Sequence, residues 1–197
     1  MQTRPVNPRS TLGSVEPVTK LLLVRHGETD WNLARRVQGH TDRPLNDTGR
    51  AQARALADEL RDVALDAVYS SDLSRAEETA RILAGRLGLP VGTLLELRER
   101  SFGTWEGLTD TEVFERFPEA RRGQWGDGET TEELDERVLA ALRRIARDHP
   151  GGTVLVVAHG GPLRSVLRHC EVERDGPISN CHVLRVAVED GVLRSVD

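Results

Sequence analysis

Two apolar runs in this chain end in the same way. "KLLLVRHG" (20–27) and "TVLVVAHG" (153–160) are each apolar almost throughout and then stop at a histidine followed by glycine. A strand that is apolar on both faces belongs in a sheet covered on both sides, so each run predicts a buried strand of the parallel type. Whatever else the chain does, it must bury two such strands and carry a His-Gly pair to the end of each.

The rest of the sequence supplies the cover. Further strand-like runs lie at 67–69, 91–95, 183–188 and 192–196. Amphipathic helical patterns separate them. "TGRAQARALADELRD" (48–62) repeats apolar positions at Ala51, Ala55 and Leu56. "LSRAEETARILAGRLG" (73–88) does so at Ala76, Ala80, Ile82 and Leu83 and ends on Gly88, while the pattern over 131–149 runs from Leu134 through Val138, Ala141, Leu142 and Ile145. Alternating strands and helices imply one α/β domain, a three-layer sandwich whose mostly parallel sheet is flanked by helices. We assign that domain to residues 20–197. Residues 1–19, rich in Pro, Ser, Thr and Gly, read as a flexible N-terminal arm without the apolar stretch of a secretory signal.

Composition narrows the function. A net charge of −5 and a pI near 5.7 argue against general affinity for nucleic acid or an anionic membrane. No apolar run approaches the roughly 18 residues needed to span a bilayer. The two cysteines, Cys170 and Cys181, read as reduced thiols of a cytoplasmic protein. Lys20 is the only lysine, so there is no phosphate-binding loop that needs one. Anions must be held by arginine, whose planar fork suits phosphate oxygens.

In open α/β sheets ligands sit beyond the carboxyl ends of the strands. Arg25 and His26 follow the first strand, Arg75 the second, Glu99 the third and His159 the fourth, so five residues of complementary chemistry share one edge. Arginines neutralise a phosphoryl group, neighbouring guanidinium charges keep an imidazole neutral and nucleophilic, and a carboxyl group can protonate a leaving alcohol. Glu96 and Glu106 are close in sequence to Glu99, and spacing alone does not choose among them. No H-E-x-x-H, Cys-x-x-Cys or His-x-His pattern occurs, and an arginine-lined pocket repels a divalent cation, so no metal or cofactor is expected.

"LLLVRHGETDWN", "QGHTDRPLNDTGRAQA", "VYSSDLSRAEETA", "LRERSFGTWEGLT", "GDGETTEELDERV" and "VVAHGGPLR" together resemble the histidine phosphatase superfamily, in its phosphoglycerate-mutase-like branch. The resemblance covers residues 20 to about 194. It implies that His26 becomes phosphohistidine, that Arg25 and Arg75 hold phosphoryl oxygens, that His159 donates to the developing charge, and that Glu99 is the proton donor. It also implies that Asn32, Gln38 and Gly39 line the phosphate pocket, and that the backbone at Gly160 approaches the phosphate closely. Relatives of this kind are often dimers, which makes a homodimer the implied assembly.

Each residue has a plainer reading as well. His26 and His159 could be core histidines, Arg25 an ion-pair partner of Glu28, Arg75 a solvated helix residue, and Gln38 and Gly39 mere turn residues. His40, His149, His169 and His182 read as surface or packing residues, Trp31 and Trp105 as core, and the Arg-Arg pairs at Arg35, Arg121 and Arg143 as solvated. A mutase must shield its intermediate from water, and family mutases lengthen the segment after W-E-G. Here only about twenty residues separate Gly107 from Gly128, and the stretch after His159 is also short. The expectation is therefore a phosphatase for small phosphorylated metabolites, with phosphoglycerate mutase as the alternative and a weakly catalytic phosphate-binding module as a third reading. Arg36, Arg43, Arg98, Arg100 and Arg164 are candidates for holding a second anionic group of the substrate.

Overall fold

The computed structural model describes residues 17–85, 87–119 and 126–196. Six strands, β1 (Thr19–Arg25), β2 (Ala67–Ser70), β3 (Val91–Thr93), β4 (Thr153–Ala158), β5 (Val183–Glu189) and β6 (Val192–Ser195), form one sheet in the order β3-β2-β4-β1-β5-β6. The first four strands in that order run parallel, and β5 and β6 add antiparallel partners beyond β1.

The two apolar runs, β1 and β4, are neighbours at the centre. Their alternate side chains go to opposite faces, as strand geometry requires. Leu21, Leu23, Val154 and Val156 pack under helices α5 (Thr131–Asp148) and α6 (Gly160–His169), whose buried residues include Leu134, Leu142, Leu163 and Val166. Leu22, Val24, Leu155 and Val157 pack under α2 (Asp47–Glu59) and α3 (Ser74–Gly85). Two short helices, α1 (Asp30–Leu33) and α4 (Asp110–Arg116), complete the α set among the described residues, and α1, α4 and α5 each start with a reciprocal capping box (Thr29/Asn32, Thr109/Glu112, Thr130/Glu133). Thr130, within "GDGETTEE", is thus the cap that starts α5. Among the described residues no helix is long and apolar enough to cross a membrane, and Cys170 and Cys181 are free thiols.

Several expectations need correction. The arm lies outside the described residues up to residue 16, and Thr19 is already in β1, buried, with its hydroxyl donating to the carbonyls of Ala146 and His149. The third strand stops at Thr93, because Leu95 points to solvent and a 3₁₀ turn over Leu95–Leu97 buries Leu97 instead. On α2 the buried positions are Gly49, Ala53, Leu56 and Ala57, while Ala51 and Ala55 are exposed. Alanine is apolar enough to suggest a face but too small to fix its phase. Helix α3 ends at Gly85, and Gly88 takes its left-handed φ of +65° three residues later.

The central strands set the stability. Leu155 is fully buried in β4 between both flanking neighbours. Leu155→Ala should cost about 2–5 kcal/mol, the range for a core leucine whose cavity cannot collapse. Urea denaturation measures it, and a loss below about 1 kcal/mol would show that the centre of the sheet repacks.

Candidate active site

The strand register explains the repeated His-Gly endings. Arg25 pairs with Ala158 across β1 and β4, so the next residues on both strands, His26 and His159, emerge side by side. The His26 amide donates to the Ala158 carbonyl at 3.0 Å, and the two imidazole centroids lie 5.0 Å apart. Both rings are buried. His26 Nδ1 lies 2.7 Å from the Gly27 carbonyl, which can only accept, so the proton sits on Nδ1 and leaves Nε2 as the basic nitrogen. His159 Nε2 lies 2.9 Å from Ser71 Oγ, which already accepts from the Leu73 amide at 3.1 Å. The serine hydroxyl keeps its proton free to donate to Nε2, and in that tautomer His159 carries its own proton on Nδ1.

Two guanidinium groups close the cluster. Arg25 donates to the Ile178 carbonyl through Nη1. Arg75, fully buried at the start of α3, donates to the carbonyls of Gly39 at 2.8 Å and Thr41 at 3.1 Å. Among the described residues Arg25 Nε, Arg75 Nε and His159 Nδ1 are buried without a hydrogen-bond partner. Three buried donors without acceptors, two of them on guanidinium cations, make a candidate site for an anion.

Electrostatics agree. Burial, then the charges of Arg75 and Arg25, hold His26 well below the ordinary histidine value of 6.5. Burial, then Arg75, His26 and Arg25, do the same to His159. Burial lowers Arg75 to about 10, still a cation at neutral pH, while the charge of Glu99 works in the opposite direction.

Glu99 is the carboxylate that joins this group. It accepts from the amides of Gly161, at 2.9 and 3.2 Å, and Arg100, at 2.8 Å. Neither rival fits. Glu96 pairs with Arg144 at 3.1 Å. Glu106 accepts from the amides of His40, Thr41 and Phe102 and from the Thr41 hydroxyl, and these bonds hold it below the usual carboxylate range despite partial burial. Its work is to shape the turn that carries Gly39.

The three residues expected to line the pocket are each tied into the scaffold. Asn32 Oδ1 accepts from the Thr29 amide and hydroxyl in the α1 capping box, and more distantly, at 3.4 Å, from Asn180 Nδ2. Gln38 is buried and accepts from the Thr29 hydroxyl. Gly39 has φ +55°, and a Cβ there would lie 2.0 Å from Glu106 Oε1, so only glycine can deliver that carbonyl to Arg75. At Gly160 a Cβ would sit 3.7 Å from Glu99 Oε2 and 4.0 Å from Arg25 Nε, that is, in the space between carboxylate and guanidinium. The tighter position is Gly161, where a Cβ would meet Glu99 Oε1 at 2.1 Å. Gly27 is required by packing: its Cβ would lie 2.6 Å from the Gly49 carbonyl at the start of α2.

Several site residues escaped the sequence reading. Ser71 orients His159; Thr79 accepts from the Gly27 amide and donates to the Arg75 carbonyl; Asn180 Nδ2 donates to the His26 carbonyl at 2.9 Å. His40, expected at the surface or in packing, is half-buried and its Nε2 donates to the Glu99 carbonyl at 2.9 Å. The stretch after His159 does more than border the site, since its Ile178 carbonyl holds Arg25. Glu28, considered as a partner of Arg25, accepts from Asn46 instead. Of the extra arginines, Arg98 is gripped by Asp72, Arg36 by Glu112, Arg43 lies over the Trp31 ring at 5.0 Å, Arg100 reaches Glu129 and Thr131, and Arg164 reaches the Gly176 carbonyl. Arg121 lies outside the described residues.

The buried imidazoles make stability depend on pH. Their folded pKa values lie below the unfolded value near 6.5, so the unfolded chain binds more protons as pH falls through 6.5, and the folded state loses stability. Between about pH 6.5 and 5.5, above the range where carboxylates titrate, each should cost about 1 kcal/mol. Urea midpoints in a phosphate-free buffer test this. A flat profile across that window, or an unchanged slope in His26→Asn/His159→Asn, would show that the two rings are not held neutral.

Comparison with known proteins shows the family. The family model of the histidine phosphatase superfamily (branch 1) matches residues 21–196. The sequence is 40% identical over 185 residues to the metal-independent phosphoserine phosphatase of Arabidopsis thaliana, covering 88% of this chain and 78% of that protein. It is 43% identical over 158 residues to phosphoglycerate mutase-like protein 4 of the same plant, covering 75% and 69%. Among solved structures, Bacillus stearothermophilus YhfR superposes with a TM-score of 0.81 at 33% identity, covering 90% of this chain and 95% of that one. The mycobacterial glucosyl-3-phosphoglycerate phosphatase does so with a TM-score of 0.80 at 29% identity, covering 89% and 95%.

Proposed function

This chain belongs to the histidine phosphatase superfamily, and from that premise we propose that it is a metal-independent phosphomonoesterase that hydrolyses small phosphorylated metabolites through a phosphohistidine at His26. The observation that carries the reading is the convergence of two neutral imidazoles on three unpartnered buried donors of Arg25, Arg75 and His159.

The placement of the residues supports a role for each. The phosphoryl oxygens of the substrate accept hydrogen bonds from Nε–H of Arg25 and Arg75 and from Nδ1–H of His159. His26 Nε2 attacks phosphorus, the bond from phosphorus to the ester oxygen breaks, and the Glu99 carboxyl gives its proton to the departing alcohol. Glu99, now a carboxylate, takes a proton from water as that water attacks the phosphohistidine. The phosphorus–nitrogen bond breaks and inorganic phosphate leaves. Gly160 keeps free the space between Glu99 and Arg25 that the ester must occupy. An arginine-lined pocket supplies the charge stabilisation that a divalent cation gives elsewhere, and the named activity of the Arabidopsis phosphoserine phosphatase, metal-independent, supports this.

The test is phosphate release from 4-nitrophenyl phosphate and a panel of phosphorylated metabolites in the presence of EDTA. Steady turnover is expected, and His26→Ala should reduce it on the order of a thousandfold or more, the scale on which loss of a covalent nucleophile acts. If His26→Ala kept most of the activity, the nucleophile would be wrongly assigned. Isomerisation of a phosphoglycerate without phosphate release would favour the mutase reading, and silence in both assays a phosphate-binding module.

A further inference from the structure

Among the described residues no side chain hydrogen-bonds the Glu99 carboxylate. Its carboxylate touches the backbone amides of Gly161 and Arg100, so its place in the site follows wherever its own main chain is held. That main chain belongs to an irregular stretch whose one regular feature before Glu99 is the 3₁₀ turn Leu95–Leu97.

We propose that Arg137, locked to Glu129, is the positioning residue that sets Glu99 at the reacting centre. All five guanidinium protons are engaged. Nη1 donates to the carbonyls of Glu96 and Arg98, both at 2.8 Å, and one Nη2 proton goes to the carbonyl of Glu99 at 2.9 Å. Nε and the other Nη2 proton bind Glu129 as a two-pronged pair at 2.5 and 2.7 Å. Glu129 fastens the far side of the stretch: its amide donates to the Ser101 carbonyl at 2.8 Å, and its carbonyl accepts from Arg100 at 2.9 Å. Arg137 itself stands on α5, next to Val138 and one turn beyond Leu134, both buried in the core. A single planar fork therefore transfers the rigidity of an 18-residue helix to the backbone of Glu99. Lysine, a point charge with three donors, cannot span three carbonyls and a carboxylate.

This inference rests on the reading of Glu99 as proton donor, and the experiment separates the two. A 4-nitrophenolate leaves readily as an anion, whereas the alkoxide of glycerol phosphate needs the proton. The measurement is kcat/KM, which covers steps through formation of the phosphoenzyme, for both esters with Glu99→Gln, Arg137→Lys, Arg137→Met and Glu129→Gln, with thermal unfolding of each. Misplacing the acid should lower kcat/KM for glycerol phosphate by about ten- to a hundredfold more than for the aryl ester, in Arg137→Lys and Glu129→Gln as in Glu99→Gln. Equal losses on both esters, or no loss, in the Arg137 and Glu129 variants while Glu99→Gln discriminates would overturn the proposal and leave Glu99 as the donor. No discrimination in Glu99→Gln would overturn the donor assignment and the proposal together. Should Arg137→Met fail to fold, Glu129→Gln and Arg137→Lys decide the matter.

Discussion

Everything in the site depends on one register. Because Arg25 faces Ala158 across β1 and β4, the two chains leave the sheet at the same level, and His26 and His159 meet. A shift of one residue would send each ring to the opposite face of the sheet. The register is held by the apolar alternation of both strands, which buries side chains under α2 and α3 on one side and α5 and α6 on the other. The same burial that stabilises the fold strips water from the rings, so packing and the neutral state of the imidazoles have a common cause.

The arginines show how positive charge is kept available. A buried guanidinium is ordinarily matched by a carboxylate. Arg25 and Arg75 are instead held through backbone carbonyls, those of Ile178, Gly39 and Thr41, which orient the fork without cancelling its charge. The carboxylates that compensate them act from further off: Glu99 on both arginines, Glu106 and Asp42 on Arg75. Contrast Arg98 and Arg137, each clasped by a carboxylate in direct contact. Arg25 and Arg75 thus differ from Arg98 and Arg137 in that no carboxylate in direct contact cancels their charge.

The sheet and the five chemically distinctive positions were legible in the sequence because their signals are strong: long apolar runs for β1 and β4, and His, Arg and Glu where strands end. What held those residues in place was not legible. Gly39 presents its carbonyl to Arg75, yet nothing in "QGHTD" says that Glu106, far along the chain, fills the space where a Cβ would go. His40 and Arg137 act on Glu99 through its main-chain oxygen, a contact with no side-chain pattern to betray it. Ser71 lies in a small polar pair that reads as an ordinary turn. The face of α2 was misread for a related reason. Its buried side is chosen by Gly49 meeting the backbone of Glu28, a steric fit that hydrophobic periodicity does not record.

The two His-Gly endings therefore look alike for different reasons. After β1, glycine is needed because the loop runs against the Gly49 backbone, and Gly27 in turn gives its amide to Thr79, which bonds to the Arg75 carbonyl. That glycine fastens the first strand to the helix bearing the second arginine. After β4, the glycine in contact with a neighbour is the second one, Gly161, whose amide meets Glu99 while Gly160 leaves the adjoining space clear. That pair fastens the fourth strand to the carboxylate. One His-Gly junction ties the helix that bears Arg75 to His26 and the other ties Glu99 to His159, so both contacts are referred to the same two central strands.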